Sequence, residues 1–104
     1  MESIITEYTN ISVISGLPKE CTHHCIFGNG RHKLADKDGL TIPMTHAEHN
    51  TGKYALHENS TAEMLSKILG QLAWEKEYIS QRTETDLRKE AREAFRKRYG
   101  ESYL

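Results

Sequence analysis

Residues 21–59 read CTHHCIFGNGRHKLADKDGLTIPMTHAEHNTGKYALHEN, and this stretch holds all six histidines of the 104-residue chain. The two cysteines of the chain, Cys21 and Cys25, flank a His-His pair at positions 23–24. Imidazole and thiolate groups are preferred ligands of zinc and related metals. We therefore expect a histidine-rich site region, supported by the histidine-free residues that follow it.

The composition predicts one domain with a modest core. The chain has the length of a single domain, 37% of its residues are apolar and 28% are charged. No apolar run approaches the ~18 residues of a membrane span, and residues 1–7 lack the features of a signal peptide. We expect a soluble cytoplasmic protein in which an N-terminal arm (1–20), the site region (21–59) and a helical support region (60–104) form one unit.

Two short strands are predicted in the site region. Residues 24–27 are predicted to form a short strand, with Ile26 and Phe27 as its apolar residues. The Gly-Asn-Gly sequence at 28–30 indicates a turn. Residues 31–38 are polar and are interpreted as a solvated loop. Residues 40–44 alternate apolar and polar side chains, which is typical of a strand with one buried face, and Pro43 places that strand at an edge or its end.

A short helix is expected directly after the second strand. Thr45 has a side chain suited to cap a helix over residues 46–49, and Gly52 would end it. Folding of the two strands into a hairpin would then bring the pair at 23–24 close to His49. Such a site could hold one divalent metal ion and leave one imidazole free.

From Ser60 the hydrophobic pattern has the period of a helix. Ser60 and Glu63 fit a capping box. The first apolar stripe comprises Leu65, Ile68, Leu69, Leu72, Trp74 and Ile79. Residues 83–86 offer a second helix start, and Gly100 a stop. The second stripe comprises Leu87, Ala91, Ala94, Phe95 and Tyr99. We expect both stripes to lie in the core of an α+β domain with one or two long C-terminal helices.

The histidines suit hydrolysis of a phosphodiester. This reaction needs a base that takes a proton from water, and it needs relief of the negative charge that develops on the phosphate. A neutral imidazole can serve as the base at neutral pH, and a bound metal can offset the charge. Adjacent histidines on a strand point to opposite sides, so His23 and His24 are expected to have different roles.

The site region contains a spaced set of short segments. They are His23-His24-Cys25-Ile26-Phe27-Gly28, Arg31, Ala35-Asp36, Gly39-Leu40-Thr41-Ile42-Pro43-Met44, His49-Asn50 and Leu56-His57-Glu58-Asn59. The set resembles the ββα-metal fold of HNH endonucleases, and most closely the small phage-type branch related to recombination-enhancement nucleases. The last ten residues resemble the ending of that branch more loosely.

The resemblance implies a role for four histidines. His24 would be the general base, and His23 and His49 would be ligands of one divalent metal, either Mg, Mn or Zn. His57 would be a third ligand or a phosphate contact. The implied activity is that of a DNA endonuclease or nickase from a phage or prophage.

Two features of the family are missing from this chain. The Asn that orients the base aligns near Gly39, so Asn50 becomes the candidate for that role, with Asn59 as the other choice. The ligands of the family's structural zinc are also absent, because no CxxC precedes the His-His pair and Thr45 and Glu48 stand at the later positions. Compensation is expected from dimer contacts or from packing around Phe27, Leu40, Ile42 and Met44.

The predicted partners follow from charge and from the resemblance. Arg31, Lys33 and Lys37 lie between the two predicted strands, where they could contact the DNA backbone. A phage or host recombination or packaging protein and a second copy of the chain are further candidates. No membrane partner is expected.

Two alternatives remain open at this point. Cys21, Cys25, His46 and His49 have spacings that a tetrahedral structural zinc accepts, with no catalysis. A domain that has lost its structural ion and its orienting Asn could also bind DNA, or another protein, without cutting DNA.

Overall fold

Residues 1–84 and 87–104, which are the part of the chain that the computed structural model describes, form an α+β arrangement. Its elements in chain order are β1 (Cys21–His24), α1 (Arg31–Asp38), β2 (Thr41–Met44), a π-helical turn (Ala47–Thr51), a 3₁₀ turn (Leu56–Glu58), α2 (Ser60–Ser80) and α3 (Arg88–Tyr99). The architecture is compatible with a small ββα core followed by two longer helices.

The two strands pair antiparallel. Cys21 lies opposite Met44 and His23 lies opposite Ile42. The prediction of a strand over residues 24–27 is wrong, because β1 ends where that strand was expected to begin. After His24 the chain bends, and Cys25 and Ile26 are both buried instead of alternating between the two sides. This bend leaves the His-His pair at the end of β1.

The connection between the strands is a helix and not the loop predicted for residues 31–38. Glycines with positive φ flank α1, at +80° for Gly30 and +72° for Gly39. The N–H of Leu40 donates to the carbonyl of Ala35 at 2.8 Å, which closes the last turn. A helix with so few inward apolar residues carries almost no hydrophobic pattern, so the sequence did not reveal it.

The N-terminal arm is packed against this hairpin. The N–H of Ile4 donates to the carbonyl of Gly39 at 2.9 Å, and the hydroxyl of Ser3 donates to the carbonyl of Thr41 at 2.6 Å. A Cβ at Gly39 would lie 2.3 Å from the carbonyl oxygen of Glu2. The chain therefore needs glycine there both for its backbone angle and for the close approach of the arm.

Helix α2 begins with a different cap from the one predicted. The side-chain oxygen of Asn59 accepts hydrogen bonds from the N–H groups of Thr61 and Ala62, at 2.9 and 3.1 Å. The capping box between Ser60 and Glu63 is wrong, because the Glu63 carboxylate binds a histidine instead.

The apolar stripe of α2 faces largely outward. Leu65, Leu69 and Leu72 are 59%, 40% and 51% exposed, so their prediction as core residues is wrong. The helix instead buries Ser66, Gly70, Gln71 and Glu75. Gly70 permits this rotation, because a Cβ there would lie only 3.0 Å from the Cβ of Cys25. Across residues 1–84 and 87–104, no helix has both the length and the apolar character needed to cross a bilayer.

Helix α3 packs as its sequence predicts. Ala91, Phe95 and Tyr99 are buried, and the helix ends at Gly100 with φ of +88°. It begins at Arg88, later than the predicted start at 83–86, of which positions 85 and 86 lie outside the described residues.

The core joins the sheet to α1 and α3. Its buried members are Cys25, Ile26, Ala35, Leu40, Ile42, Met44, Phe95 and Tyr99. Leu40, Ile42 and Met44 therefore lie where the sequence placed them, whereas Phe27 is only half-buried. The core packs against the end of β1, where His23 contacts α2 and His24 contacts α1.

Candidate metal centre

Three histidines from three separate segments converge on one point. His23 comes from β1, His49 from the π-helical turn and His57 from the 3₁₀ turn, and one ligand atom of each lies within 4.8 Å of the others. Their ring centroids are 4.7–5.2 Å apart. These three side chains are close enough to bind a single metal ion, and we call them the histidine cluster.

The surroundings of His23 define which of its nitrogen atoms is free. The ring is 1% exposed, and its Nε2 lies 2.6 Å from the Oγ of Ser66. The carbonyl of Cys25, 2.9 Å from the Ser66 Oγ, can only accept, and when the hydroxyl donates its hydrogen there, Oγ accepts from an Nε2–H of His23. The lone pair is therefore on Nδ1, and this buried atom has no hydrogen-bond partner among the described residues.

His57 is held in a similar way from the other side. Its Nδ1 lies 2.9 Å from a carboxylate oxygen of Glu63, and because a carboxylate only accepts, Nδ1 carries the hydrogen. Its Nε2 then faces the Nε2 of His49 at 3.1 Å. A carboxylate behind an imidazole is the arrangement that fixes the tautomer of metal-binding histidines in proteins.

Two members of the cluster, His23 and His49, favour the neutral imidazole. Burial, followed by the positive charges that His49 and His57 would carry, lowers the pKa of His23 to about 3. Burial also lowers the pKa of His49, with His57 as the next cause. Neutral imidazole is the form that binds metals, so His23 and His49 are ready to act as ligands at neutral pH.

The π-helical turn that carries His49 is anchored at its start by Thr45 and Glu48. The hydroxyl of Thr45 accepts from the N–H of Glu48 at 3.2 Å, the bond expected of a cap, but the turn that follows is π-helical over Ala47–Thr51 instead of the short helix predicted over 46–49. The Glu48 carboxylate in turn accepts from the N–H of Thr45 and from the hydroxyl of Ser12. The two positions where the family has zinc ligands thus form a reciprocal hydrogen-bonded pair that positions the turn.

His24 is not a member of the cluster and contacts α1 instead. Its Nε2 lies 3.0 Å from a carboxylate oxygen of Asp36 on α1, and its ring is in edge contact with that of His32. The hydrogen bond from His24 lowers the pKa of Asp36, which keeps this carboxylate ionised. The alternation of side chains along β1 therefore separates the two adjacent histidines into different environments.

The other residues predicted for the site lie outside the cluster. Asn50 is exposed, and its side chain has no hydrogen bond within the described part of the chain. Arg31 binds the carboxylate of Glu101 at 2.7 Å and the hydroxyl of Tyr103 at 3.2 Å. Lys33 and Lys37 are exposed on α1.

The four residues of the alternative zinc site are not brought together. Cys25 is fully buried in the core, where burial raises the pKa of its thiol to about 12. Cys21 lies on β1 with its Sγ 3.6 Å from the carbonyl of Met44, and His46 is exposed. Within residues 1–84 and 87–104, the histidine cluster is the only group of this kind with metal-binding geometry.

Three supporting residues were missed by the sequence reasoning. Ser66 and Glu63 hold the cluster from α2, and Asp36 holds His24 from α1. A serine and a glutamate in the first two turns of a long helix carry no signal of their own. Asp36 belongs to the segments that carry the family resemblance, which was the available signal. Comparisons of the chain with protein-family models, with curated proteins and with solved structures found no match.

Proposed function

We propose that the protein is a metal-dependent endonuclease or nickase of the HNH type, which hydrolyses phosphodiester bonds in DNA. The observation that carries the proposal is the free Nδ1 of His23. A buried imidazole nitrogen without a partner is costly, and native proteins seldom leave one unsatisfied. A cation shared with His49 and His57 would supply the missing partner.

The donor atoms fit a divalent ion, held by His23, His49 and His57. Of the three ions considered from the sequence, zinc suits an all-imidazole ligand set best, because magnesium and manganese prefer oxygen ligands. When bound, such an ion offsets the negative charge that develops on the phosphate and on the leaving oxygen. Ser66 and Glu63 keep the lone pairs of two of the imidazoles available for it.

His24 takes the proton from the attacking water. A hydrogen on Nε2 would be held by the Asp36 carboxylate, and Nδ1 would then present its lone pair to the water. Asp36 thereby performs the orienting role that the family gives to an asparagine. The role assigned to Asn50 stays a prediction.

DNA is the proposed substrate. Lys33 and Lys37 are exposed on α1, the helix that also carries Asp36, so cations and the base share one side of the hairpin. Arg31 is partly neutralised by Glu101 and would have to exchange this partner for a phosphate. Contacts of this kind position the backbone without reading its sequence. A recombination or packaging protein as partner stays a prediction.

The test uses supercoiled plasmid and protein stripped of metal with EDTA. Addition of Zn²⁺, Mn²⁺ or Mg²⁺ should restore nicking, and His24→Ala should reduce its rate by about 10²–10⁴-fold while plasmid binding persists. His23→Ala should lower the affinity for the ion in a calorimetric titration. His46→Ala is the matched control, because this exposed imidazole lies outside the cluster, and it should change neither quantity.

The result separates the two candidate functions. Plasmid that is retarded on a gel but not nicked with any of the three ions would instead support the non-catalytic DNA-binding module. Full nicking by His24→Ala would contradict the role of His24 as the base.

A further inference from the structure

We propose that Lys67 is the phosphate-binding cation of this site and contacts the DNA backbone beside the histidine cluster. The inference rests on the proposed function in taking DNA as the ligand. It names a residue that neither the histidine spacing nor the family resemblance indicates.

Lys67 lies next to the cluster. It follows Ser66 on α2, and its Nζ is 4.7 Å from the centroid of the Phe27 ring and 5.6 Å from that of Tyr103. The Phe27 ring in turn is 4.9 Å from the ring of His57 and 5.8 Å from that of His23. One aromatic ring therefore separates the ammonium group from the proposed metal ligands.

The charge of Lys67 is not neutralised by any carboxylate of the described residues. A glutamate four residues earlier on a helix is the usual ion-pair partner of a lysine, and here that residue is Glu63. Glu63 is occupied by His57, and the residue four positions later is the uncharged Gln71. No carboxylate pairs with Lys67 in residues 1–84 and 87–104, whereas Arg31 on the same side is paired with Glu101.

The two aromatic rings preorganise the Lys67 side chain for binding an anion. Ring faces attract a cation, but they leave its full positive charge for a further partner. Tyr103 is fixed beside Lys67, because its N–H donates to the side-chain oxygen of Gln71 at 2.6 Å and its hydroxyl accepts from Arg31. The long side chain is thus ordered before a phosphate binds, which lowers the entropic cost of the contact.

The experiment measures the salt dependence of DNA binding by the full chain in EDTA, with Lys67→Gln and Lys67→Arg as variants. Each phosphate contact that is lost should reduce the slope of log K against log[salt] by about 0.9. For Lys67→Gln this predicts binding about tenfold weaker at 50 mM salt, with little difference near 1 M. Lys67→Arg should retain the wild-type slope.

The control is Lys76→Gln, which removes an exposed lysine about two and a half turns further along α2, on the opposite side of the helix. It should leave the slope unchanged. A parallel titration with inorganic phosphate distinguishes a backbone contact from a site for the free anion. Competition of millimolar phosphate with DNA in the wild type and equally in Lys67→Gln would overturn the inference.

Failure of this inference differs from failure of the proposed function. An unchanged slope for Lys67→Gln, or an equal loss for Lys76→Gln, overturns the role of Lys67 even if the wild type nicks plasmid. A reduced slope specific to Lys67 supports the phosphate site even if no ion restores nicking. Thermal unfolding of Lys67→Gln near the wild-type temperature shows that lost binding is not lost folding.

Discussion

Helices α2 and α3 pack against each other but bury opposite kinds of residues. Helix α3 buries the apolar stripe that its sequence displays, with Phe95 and Tyr99 in the core. Helix α2 exposes its leucines and turns Ser66, Gln71 and Glu75 inward. The two helices meet through a charged contact, in which Arg92 donates to the Glu75 carboxylate at 2.9 Å.

The difference reflects the groups that each helix packs against. An amphipathic pattern predicts the buried face only when that face packs on apolar neighbours. The inner face of α2 instead serves polar groups: Ser66 binds His23, and Gln71 binds the C-terminal residues Ser102 and Tyr103. Helix α3 therefore supplies buried apolar residues to the core, whereas α2 supplies the polar groups that contact His23 and the C-terminal residues and also packs Trp74 against the core.

The largest effect is expected at the centre of α3. Phe95 is fully buried, with its ring centroid 4.6 Å from that of Tyr99 and 5.6 Å from that of Trp74. Phe95→Ala leaves a cavity and should lower the free energy of unfolding by about 3–5 kcal/mol, measured by urea denaturation. Phe95→Leu should cost clearly less. A loss below ~1 kcal/mol for the alanine variant would contradict the assignment of α3 to the core.

Ser66→Ala should lower stability less than Phe95→Ala does, but it should also weaken metal binding. The variant leaves the Nε2–H of His23 buried without an acceptor, which should cost about 1–3 kcal/mol. Loss of the group that orients a ligand should weaken metal affinity by about 10–100-fold, measured by calorimetry.

Ser80→Ala is the control for that variant, because Ser80 is an exposed serine at the end of the same helix and bonds only to a carbonyl of its own turn. It should leave metal affinity unchanged. Equal affinity in the Ser66 and Ser80 variants would mean that α2 does not position the ligands.

The smallest effect is expected on the outer face of α2. Leu72→Gln removes a half-exposed leucine, so the free energy of unfolding should change by no more than ~0.5 kcal/mol in dilute protein. The predicted homodimer gives this variant a second use. If a second copy covers the leucines, light scattering should show the wild type as a dimer and the variant as a monomer. A large loss of stability in a monomeric protein would contradict the exposed position of Leu72.

The sequence was sufficient for the elements that have a clear period or a clear stop. It predicted the position of β2, although all four of its residues are buried and not one face alone, and it predicted the Thr45 cap, the long helix from Ser60 and the packing of α3. It did not predict α1, whose short polar sequence has no apolar stripe, or the end of β1 at His24. That strand end depends on how Cys25 and Ile26 reach the core, which is a tertiary effect.

The sequence predicted the three histidines of the candidate site but not the residues that support them. The spacing and the family resemblance together named His23, His49 and His57, which the structure brings within 4.8 Å. Ser66 could not be identified, because its position beside His23 depends on the rotation of α2 about its own axis. That rotation is set by the contact of Gly70 with Cys25, which no local pattern encodes.

The π-helical turn makes the position of His49 sensitive to the number of residues in this segment. The N–H of Gly52 donates to the carbonyl of Ala47, five residues earlier, at 3.0 Å, and a Cβ at Gly52 would lie 2.4 Å from that oxygen. Loss of one codon from this segment would convert the wide turn into an ordinary one and swing His49 by about 100° around the axis. We therefore expect homologous chains to differ in the exposed residues of this turn but to keep its length constant.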